Sequence, residues 1–226
     1  MKPKIAVSLT PRTIDSALAM MRKADRLGAD LAEIRLDYLD KTHGIDEIAQ
    51  NRGMPLIATF RSPKNGGARN STQKERVMVL KKAAEAGFRY VDVEVEMSDL
   101  SSLIRALSTT GANTITSYHN FAATPPDTVL RKRLQQCQNS GATISKIVTT
   151  ARKLEDNLRL LDLIVKAGKK SKIVSFAMGK NGLSSRILSP IYGAAFTFAS
   201  LNERTLAAPG QISISKMRRI YDELYT

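Results

Sequence analysis

Residues 113–148 contain Asn113-Thr114-Ile115-Thr116-Ser117-Tyr118-His119, a helical stretch over residues 126–139, and Ala142-Thr143-Ile144-Ser145-Lys146-Ile147-Val148. The flanking runs are rich in β-branched residues and short enough for strands, with strand five at 113–118 and strand six at 143–148. Pro125 and Pro126 stand where a helix begins. The segment is therefore one strand–helix–strand unit, and its second strand carries Lys146. Taking an ammonium out of water is costly, so a lysine in an apolar strand lowers its pKa or finds a partner. A lysine with a lowered pKa is a nucleophilic amine, able to form a Schiff base with a carbonyl. The structural alternative is a lysine that reaches solvent or pairs with a core carboxylate. On position alone that alternative is the stronger prior, because structural ion pairs often mimic functional sites.

The same unit recurs along the whole chain. Strands are read at 4–9, 30–36, 55–60, 90–95, 113–118, 143–148, 172–177 and 194–199. Helices are read at 13–27, 45–51, 72–86, 98–108, 126–139, 154–167, 185–192 and from Ser213 or Ser215 to the end. Ile14, Ala17, Leu18, Met21, Ala24 and Leu27 fall at helical spacing, and Gly28 ends that helix. Ser98 is read as the N-cap of the fourth helix. Met217, Ile220, Tyr221 and Leu224 make the apolar stripe of the last. Eight strand–helix units in 226 residues predict an α/β fold, a single-domain (β/α)8 TIM barrel spanning residues 1–226. The competing doubly wound sheet would carry Gly-x-Gly-x-x-Gly after an early strand, and none is present.

Composition narrows the functional classes. With 42% hydrophobic and 25% charged residues, the chain can bury a sizeable core. Cys137 is the single cysteine, which excludes a disulfide within the chain and fits a reducing compartment. One Cys and two His leave too few soft ligands for a structural zinc site, so no metal is expected. The first apolar run is too short for a signal sequence, and no apolar stretch approaches ~18 residues. A cytoplasmic protein without a membrane partner is expected. The net charge of +14 raises nucleic acid as a partner, and residues 131–172 hold eleven Lys/Arg against three Asp/Glu. Aromatic residues are only 5%, Trp is absent, and no zinc-finger or helix-turn-helix pattern occurs. A solvated basic surface that attracts anionic metabolites is the preferred reading, with no nucleic acid.

A barrel places its chemistry at the C-terminal ends of the strands. Glu33, Arg35 and Asp37 share one face at the end of strand two, and Arg61 follows strand three. Asp92, Glu94 and Glu96 share a face of strand four; Ser117-Tyr118-His119 ends strand five. Lys146 lies in strand six, Met178 follows strand seven, and Arg186 comes soon after. Any one of these reads best as a structural ion pair; their joint placement at one rim argues for a site. Lys146 would form an imine that acidifies the neighbouring C–H, and His119 is the best general acid/base. Arg35, Arg61 and Arg186 can hold a carboxylate or phosphate bidentately. These residue types favour imine chemistry on a small anionic carbonyl compound and leave an aldolase and a dehydratase unseparated.

An ordered set of segments goes further. Lys4-Ile5-Ala6-Val7-Ser8-Leu9, Glu33-Ile34-Arg35-Leu36-Asp37, Thr59-Phe60-Arg61-Ser62 and Ser117-Tyr118-His119-Asn120-Phe121 come first. Lys146-Ile147-Val148, Met178-Gly179-Lys180, Ser185-Arg186 and Ala208-Pro209-Gly210-Gln211 follow. Together they resemble type I 3-dehydroquinate dehydratases from strand one to the last loop. The resemblance implies a (β/α)8 barrel, generally homodimeric, that converts 3-dehydroquinate to 3-dehydroshikimate in aromatic amino-acid biosynthesis, without a metal or organic cofactor. It implies Lys146 as the imine-forming residue and His119 as the proton shuttle. Arg186 would bind the substrate carboxylate, and Glu33, Arg35 and Arg61 the ring hydroxyls. Ser8 and Gln211 would add hydrogen bonds, Met178 and Phe198 apolar walls, and residues 202–210 a lid.

Two positions depart from the family pattern. Bacterial members often carry a Glu after strand three that pairs with the catalytic His; here Asn65 stands there, leaving Asp92 or Glu94 as candidate partners. A lid Ser is replaced by Ala207, with Thr205 as the candidate substitute donor. His43 reads as a solvated loop residue and Cys137 as inert. Asn65-Gly66-Gly67 lacks the Lys-Ser/Thr of a phosphate loop. A Schiff-base class I aldolase or transaldolase on the same barrel is the alternative; it would need a phosphate site near strands seven and eight.

Overall fold

The computed structural model of the chain describes residues 2–50, 53–168, 171–203 and 207–225. The elements run β1 (Ile5–Leu9), α1 (Ile14–Arg26), β2 (Leu31–Arg35), α2 (Ile45–Gln50), β3 (Leu56–Thr59), α3 (Gln73–Ala86), β4 (Tyr90–Glu94) and α4 (Leu100–Ser108). They continue with β5 (Asn113–Asn120), α5 (Asp127–Asn139), β6 (Ile144–Thr150), α6 (Asp156–Ala167), β7 (Ile173–Met178), α7 (Leu183–Leu188), β8 (Thr197–Ser200) and α8 (Ile214–Leu224).

The strands form one parallel sheet in the order β7-β6-β5-β4-β3-β2-β1-β8. β8 lies parallel to β1, with Ile5 opposite Thr197. The remaining gap is bridged where the Ala195 N–H donates to the Ile173 carbonyl at 2.8 Å. The sheet thus closes into a (β/α)8 barrel, as the eightfold alternation predicts.

Two apolar layers hold it. Between sheet and helices lie outward strand residues such as Val7, Ile34 and Val91, packed with helix residues such as Met21, Leu80 and Leu107. Inside the barrel, Ala6, Leu31, Ile57, Ile115, Ile144, Val174 and Phe196 fill the floor. Because strand side chains alternate with period two, the next inward positions are Ser8, Glu33, Thr59, Asp92, Ser117, Lys146, Phe176 and Phe198. The interior therefore changes from apolar to charged within one step up the strands.

The helix signals also act locally. Thr13 and Ser16 form a reciprocal capping box at α1, with Ser16 N–H donating to Thr13 Oγ1 at 3.1 Å. α3 ends at Gly87 with φ 106°, a left-handed value that glycine adopts without strain.

Several boundaries differ from the sequence reading. β5 runs to Asn120 and β6 to Thr150, because the ladder continues through His119 opposite Val148 and Asn120 opposite Thr149. β4 stops at Glu94, so Glu96 leaves the shared face of Asp92 and Glu94 and is exposed. Ser98 is not the cap of α4; Asp99 occupies that position, and Ser98 Oγ accepts from Gln73 Nε2 at 2.5 Å. α7 ends at Leu188, short of Tyr192. The last helix starts after Ser213, and Leu224 of its expected apolar stripe is 56% exposed. Asn51, read as the end of the second helix, lies outside the described residues.

Candidate active site

Ser8, Glu33, Arg35, Arg61, His119, Lys146, Met178, Arg186, Phe198 and Gln211, all named from the sequence, line one cavity at the C-terminal mouth of the barrel. Asn65, Gly66, Phe121, Val148, Phe176, Ala207 and Ala208 complete its wall, and it encloses about 480 Å³ including open solvent at its mouth.

Lys146 is buried, and its surroundings are charged as well as apolar. Nζ lies 3.0 Å from Asp92 Oδ2 and 3.7 Å from Glu33 Oε1. It also sits 4.1 Å from the centre of the Phe198 ring. Burial opposes the charge on Asp92, but Arg61, Lys146 and His119, with the Ser117 hydrogen bond, hold its carboxyl well below the usual carboxylate range. Arg61 donates to Asp92 Oδ2 at 2.5 Å and to Ser117 Oγ at 2.6 Å. Ser117 Oγ in turn donates to Asp92 Oδ1 at 2.6 Å. Glu33 accepts from Ser8 Oγ at 2.7 Å and from Thr59 Oγ1 at 2.9 Å.

Arg35 is held on its own strand end. The 3₁₀ turn Leu36–Tyr38 brings Asp37 back beneath it. Arg35 donates bidentately to Asp37 at 2.9 and 2.7 Å and to the Gly66 carbonyl at 2.8 Å. Asp37 also accepts from Ala68 N–H at 2.9 Å, which ties β2 to the loop after β3.

His119 is held by shape rather than by a carboxylate. Its ring stacks on Phe121, with centroids 6.1 Å apart and planes at 19°. Nδ1 is buried without a hydrogen-bond partner among the described residues. Glu94 accepts instead from Ser62 N–H and Oγ at 2.8 and 3.0 Å, and Asn65 Nδ2 donates to Ser62 Oγ at 3.3 Å. The hydrogen-bonding oxygens of Asp92 are occupied by Arg61, Ser117 and Lys146. Neither acid is therefore a hydrogen-bonding partner of the imidazole. Burial, with the positive charges of Arg61 and Lys146, pushes His119 well below 6.5 despite Asp92.

Arg186 is the exception in this set. It is 1% exposed, and NH1 donates to the Phe198 carbonyl at 3.4 Å. Nε and NH2 are buried without a partner among the described residues, and the guanidinium lies 4.3 Å from the Phe176 ring centre. Burial pushes its pKa down to about 9, which still leaves it charged at neutral pH. Arg35 faces Asp37, Arg61 faces Asp92, and Lys146 lies between Asp92 and Glu33. Among the described residues that line the cavity, Arg186 is the cation left without a carboxylate. A buried unpaired guanidinium is complementary to a carboxylate supplied by a ligand.

The last loop closes one side. Gln211 Oε1 accepts from Ala207 N–H at 2.8 Å, and Nε2 donates to Ser8 Oγ at 3.3 Å. A Cβ on Gly210, which has φ 74°, would meet the Gly179 carbonyl oxygen at 2.3 Å, so glycine is required there. Thr205 lies outside the described residues, as do Arg204 and Leu206 of the expected lid.

The sequence assigns Thr59 and Ser117 no role in the site and offers Asp92 as a rim carboxylate and candidate partner of His119, not as the ion-pair partner of Lys146. Strand alternation places all three on the inward face, but it does not say which neighbour each meets, and Ser or Thr in a strand suggests only β-propensity.

The family model of type I 3-dehydroquinase matches residues 5–226. The 3-dehydroquinate dehydratase of Dehalococcoides mccartyi is 39% identical over 194 residues, 86% of each chain. The solved 3-dehydroquinate dehydratase of Aquifex aeolicus is 29% identical, with a TM-score of 0.84 over 98% of this chain and 99% of its own. The type I enzyme of Clostridium difficile, solved with covalent modified comenic acid, is 25% identical, with a TM-score of 0.88 over 99% and 92%. With this match along its length and with its site residues gathered at the mouth of the barrel, the chain belongs to the type I 3-dehydroquinase family.

Proposed function

We propose that Lys146 and His119 carry the chemistry of this type I 3-dehydroquinate dehydratase, which removes water from 3-dehydroquinate through a Schiff base in the shikimate pathway. The observation that carries the assignment is that one cavity holds a buried amine, a half-buried imidazole and an unpaired guanidinium. The neutral amine of Lys146 attacks the ring ketone, and the carbinolamine loses water to give the imine. The cationic imine draws electrons from the adjacent carbon, and His119 removes its proton. The enamine expels the hydroxyl, which His119 protonates. Water then hydrolyses the product imine, releasing a conjugated ketone and the free lysine.

Arg186 holds the substrate carboxylate and so fixes the ring against Met178 and Phe198. Arg35 and Arg61, locked by Asp37 and Asp92, offer fixed donors to the ring hydroxyls, with Glu33, Ser8 and Gln211 beside them. Incubation with 3-dehydroquinate should raise the absorbance of the conjugated product, and borohydride should leave one adduct on Lys146. An adduct on another residue, found by peptide mass spectrometry, would reject this assignment.

The state of His119 gives a pH prediction. Its pKa is depressed, so the imidazole remains a neutral base below 6.5, where a free imidazole is already protonated. The acid limb of kcat/KM, which reports the free enzyme, is expected below pH 6.5. Asn65→Glu would place a carboxylate in this wall and move the limb upward. A limb at or above the free-imidazole value in the unaltered enzyme would contradict an imidazole without a carboxylate partner.

The whole of residues 1–226 is proposed as one catalytic unit that works in the reducing cytoplasm, where Cys137 remains a buried thiol. A homodimer is proposed through the exposed apolar row of Leu154, Leu158 and Val165 on and just before α6, with Ile191 and Tyr192 after α7. Sedimentation at twice the chain mass is expected, and Leu158→Glu should shift it to the single-chain mass. A wild type that sediments as one chain at micromolar concentration would reject this.

A further inference from the structure

We propose that Glu33 is the catalytic base that takes the proton from the Lys146 ammonium and so frees the amine to attack. This rests on the assignment of Lys146 as the imine-forming residue.

Two carboxylates face Nζ. Asp92 is the nearer, at 3.0 Å, but its oxygens already accept from Arg61 and Ser117. Those charges and bonds hold it well below the usual carboxylate range, so it stabilises the ammonium and is a poor proton acceptor. Glu33 is differently held. Its hydrogen bonds come from the neutral hydroxyls of Ser8 and Thr59, and Lys146 is its ion-pair contact at 3.7 Å among the described residues. Arg35 and Arg61 are in the same cavity but donate to Asp37 and to Asp92 and Ser117. His119 forms no hydrogen bond to Nζ among the described residues; Nζ donates to Asp92.

The remaining separation is longer than a transfer distance, and catalytic contacts commonly tighten in the complex. In the transfer an N–H bond of Lys146 breaks and an O–H bond forms on Glu33 Oε1. The nitrogen lone pair that is released makes the bond to the substrate carbonyl carbon. The addition leaves a negative oxygen and a positive nitrogen, and His119 carries a second proton from that nitrogen to that oxygen, giving the carbinolamine. Glu33 then returns the first proton to the carbinolamine hydroxyl, which leaves as water, so no external acid or base is consumed. Beyond Glu33, the bonds Ser8 to Glu33 and Gln211 to Ser8 link this carboxylate to Ala207 at the lid. The base is thus braced by Gln211 and Ala207 of the last loop.

The test separates proton transfer from binding of ring hydroxyls. The probe is 3-oxocyclohexane-1-carboxylate, a ring ketone acid with no hydroxyl for Glu33 to hold, with 3-dehydroquinate run in parallel. Adduct formation on Lys146 is quenched with borohydride over time and counted by mass spectrometry for wild type, Glu33→Gln and Glu33→Asp. Glu33→Gln is expected to slow adduct formation with both compounds by about 100-fold at neutral pH. The deficit should shrink as pH rises, and Glu33→Asp should restore part of the rate.

Adduct formation by Glu33→Gln at the wild-type rate or faster with the hydroxyl-free ketone would overturn the proposal. It would leave Glu33 as a hydroxyl ligand or a neighbouring charge. A wild type that traps 3-dehydroquinate but not the hydroxyl-free ketone also counts against it, because activating the amine in this way needs no ring hydroxyl. If neither compound forms an adduct on wild-type Lys146, the imine assignment itself fails. If Glu33→Gln does not fold, Ser8→Ala decides: a carboxylate that loses a donor holds its proton more tightly. The acid limb of adduct formation should then move to higher pH, and an unmoved limb overturns the proposal.

Discussion

Lys146→Ala is expected to abolish the borohydride-trapped adduct and to lower turnover of 3-dehydroquinate by more than about 10⁴-fold, beyond what one acid–base group contributes. Without the imine, the proton beside the ketone must leave against a neutral carbonyl, and His119 alone offers no electron sink. The loss should lie in kcat, because Arg186, Met178 and Phe198 still line the same cavity. The substitution also removes the cation between Asp92 and Glu33. Asp92 keeps Arg61 at 2.5 Å and Ser117 at 2.6 Å, so the cluster does not lose all compensation. A folded, inactive protein is therefore expected rather than an unfolded one. Thermal unfolding and single-turnover kinetics check the two parts separately. A variant that retains more than a hundredth of the wild-type kcat would show that elimination proceeds without the lysine.

The reading of Lys146 changes between sequence and structure in an instructive way. In the sequence it is an ammonium in an apolar strand, and apolar burial is the obvious means of keeping it neutral. In the fold its apolar neighbours Ile147 and Ile144 pack outside the sheet or on the barrel floor. What Nζ meets are two carboxylates and the Phe198 ring. Strand periodicity shows which residues share a face but not which neighbouring strand supplies a partner. That depends on the stagger of the barrel, which puts Asp92 of β4 and Glu33 of β2 within reach of β6. Arg35 shows the same limit: its grip on Asp37 depends on a 3₁₀ turn that the pattern Leu36-Asp37-Tyr38 does not announce.

The architecture was more legible because every βα unit repeats the same two signals, a β-branched run and a 3.6-residue stripe. Its boundaries slipped where polar residues continue a strand. His119, Asn120, Thr149 and Thr150 look like loop residues, yet they sit in the β5–β6–β7 ladder. Catalytic side chains at strand ends break the hydrophobic pattern that marks a strand, so the sequence ends those strands one or two residues early. Asn65 is marked as a missing carboxylate only by the resemblance to the family, not by any pattern in the chain itself. That the imidazole would instead be stacked on Phe121, with Nδ1 unpartnered, required coordinates.

Arg186→Met is expected to move activity and stability in opposite directions. In the free enzyme the guanidinium is buried, pairs with no carboxylate among the described residues, and is pushed down to about 9 by that burial. Its desolvation is thus an uncompensated cost of the folded state, and Met fills similar volume without charge. Replacing buried ionic groups by apolar residues is often neutral or stabilising by about 1–4 kcal/mol, so Tm should be unchanged or rise. The substrate carboxylate, entering the same pocket, would then be buried without a partner. Losing a desolvated charge-assisted pair costs about 2–5 kcal/mol, so kcat/KM should fall roughly 30-fold to several thousand-fold, chiefly through KM. Arg186→Lys keeps the charge but not the planar pair of donors and should lie between. A fall in both Tm and kcat/KM would mean that Arg186 holds the fold together, and the carboxylate would need another seat. A stabilised protein with weakened binding would show that the fold carries this charge for its ligand.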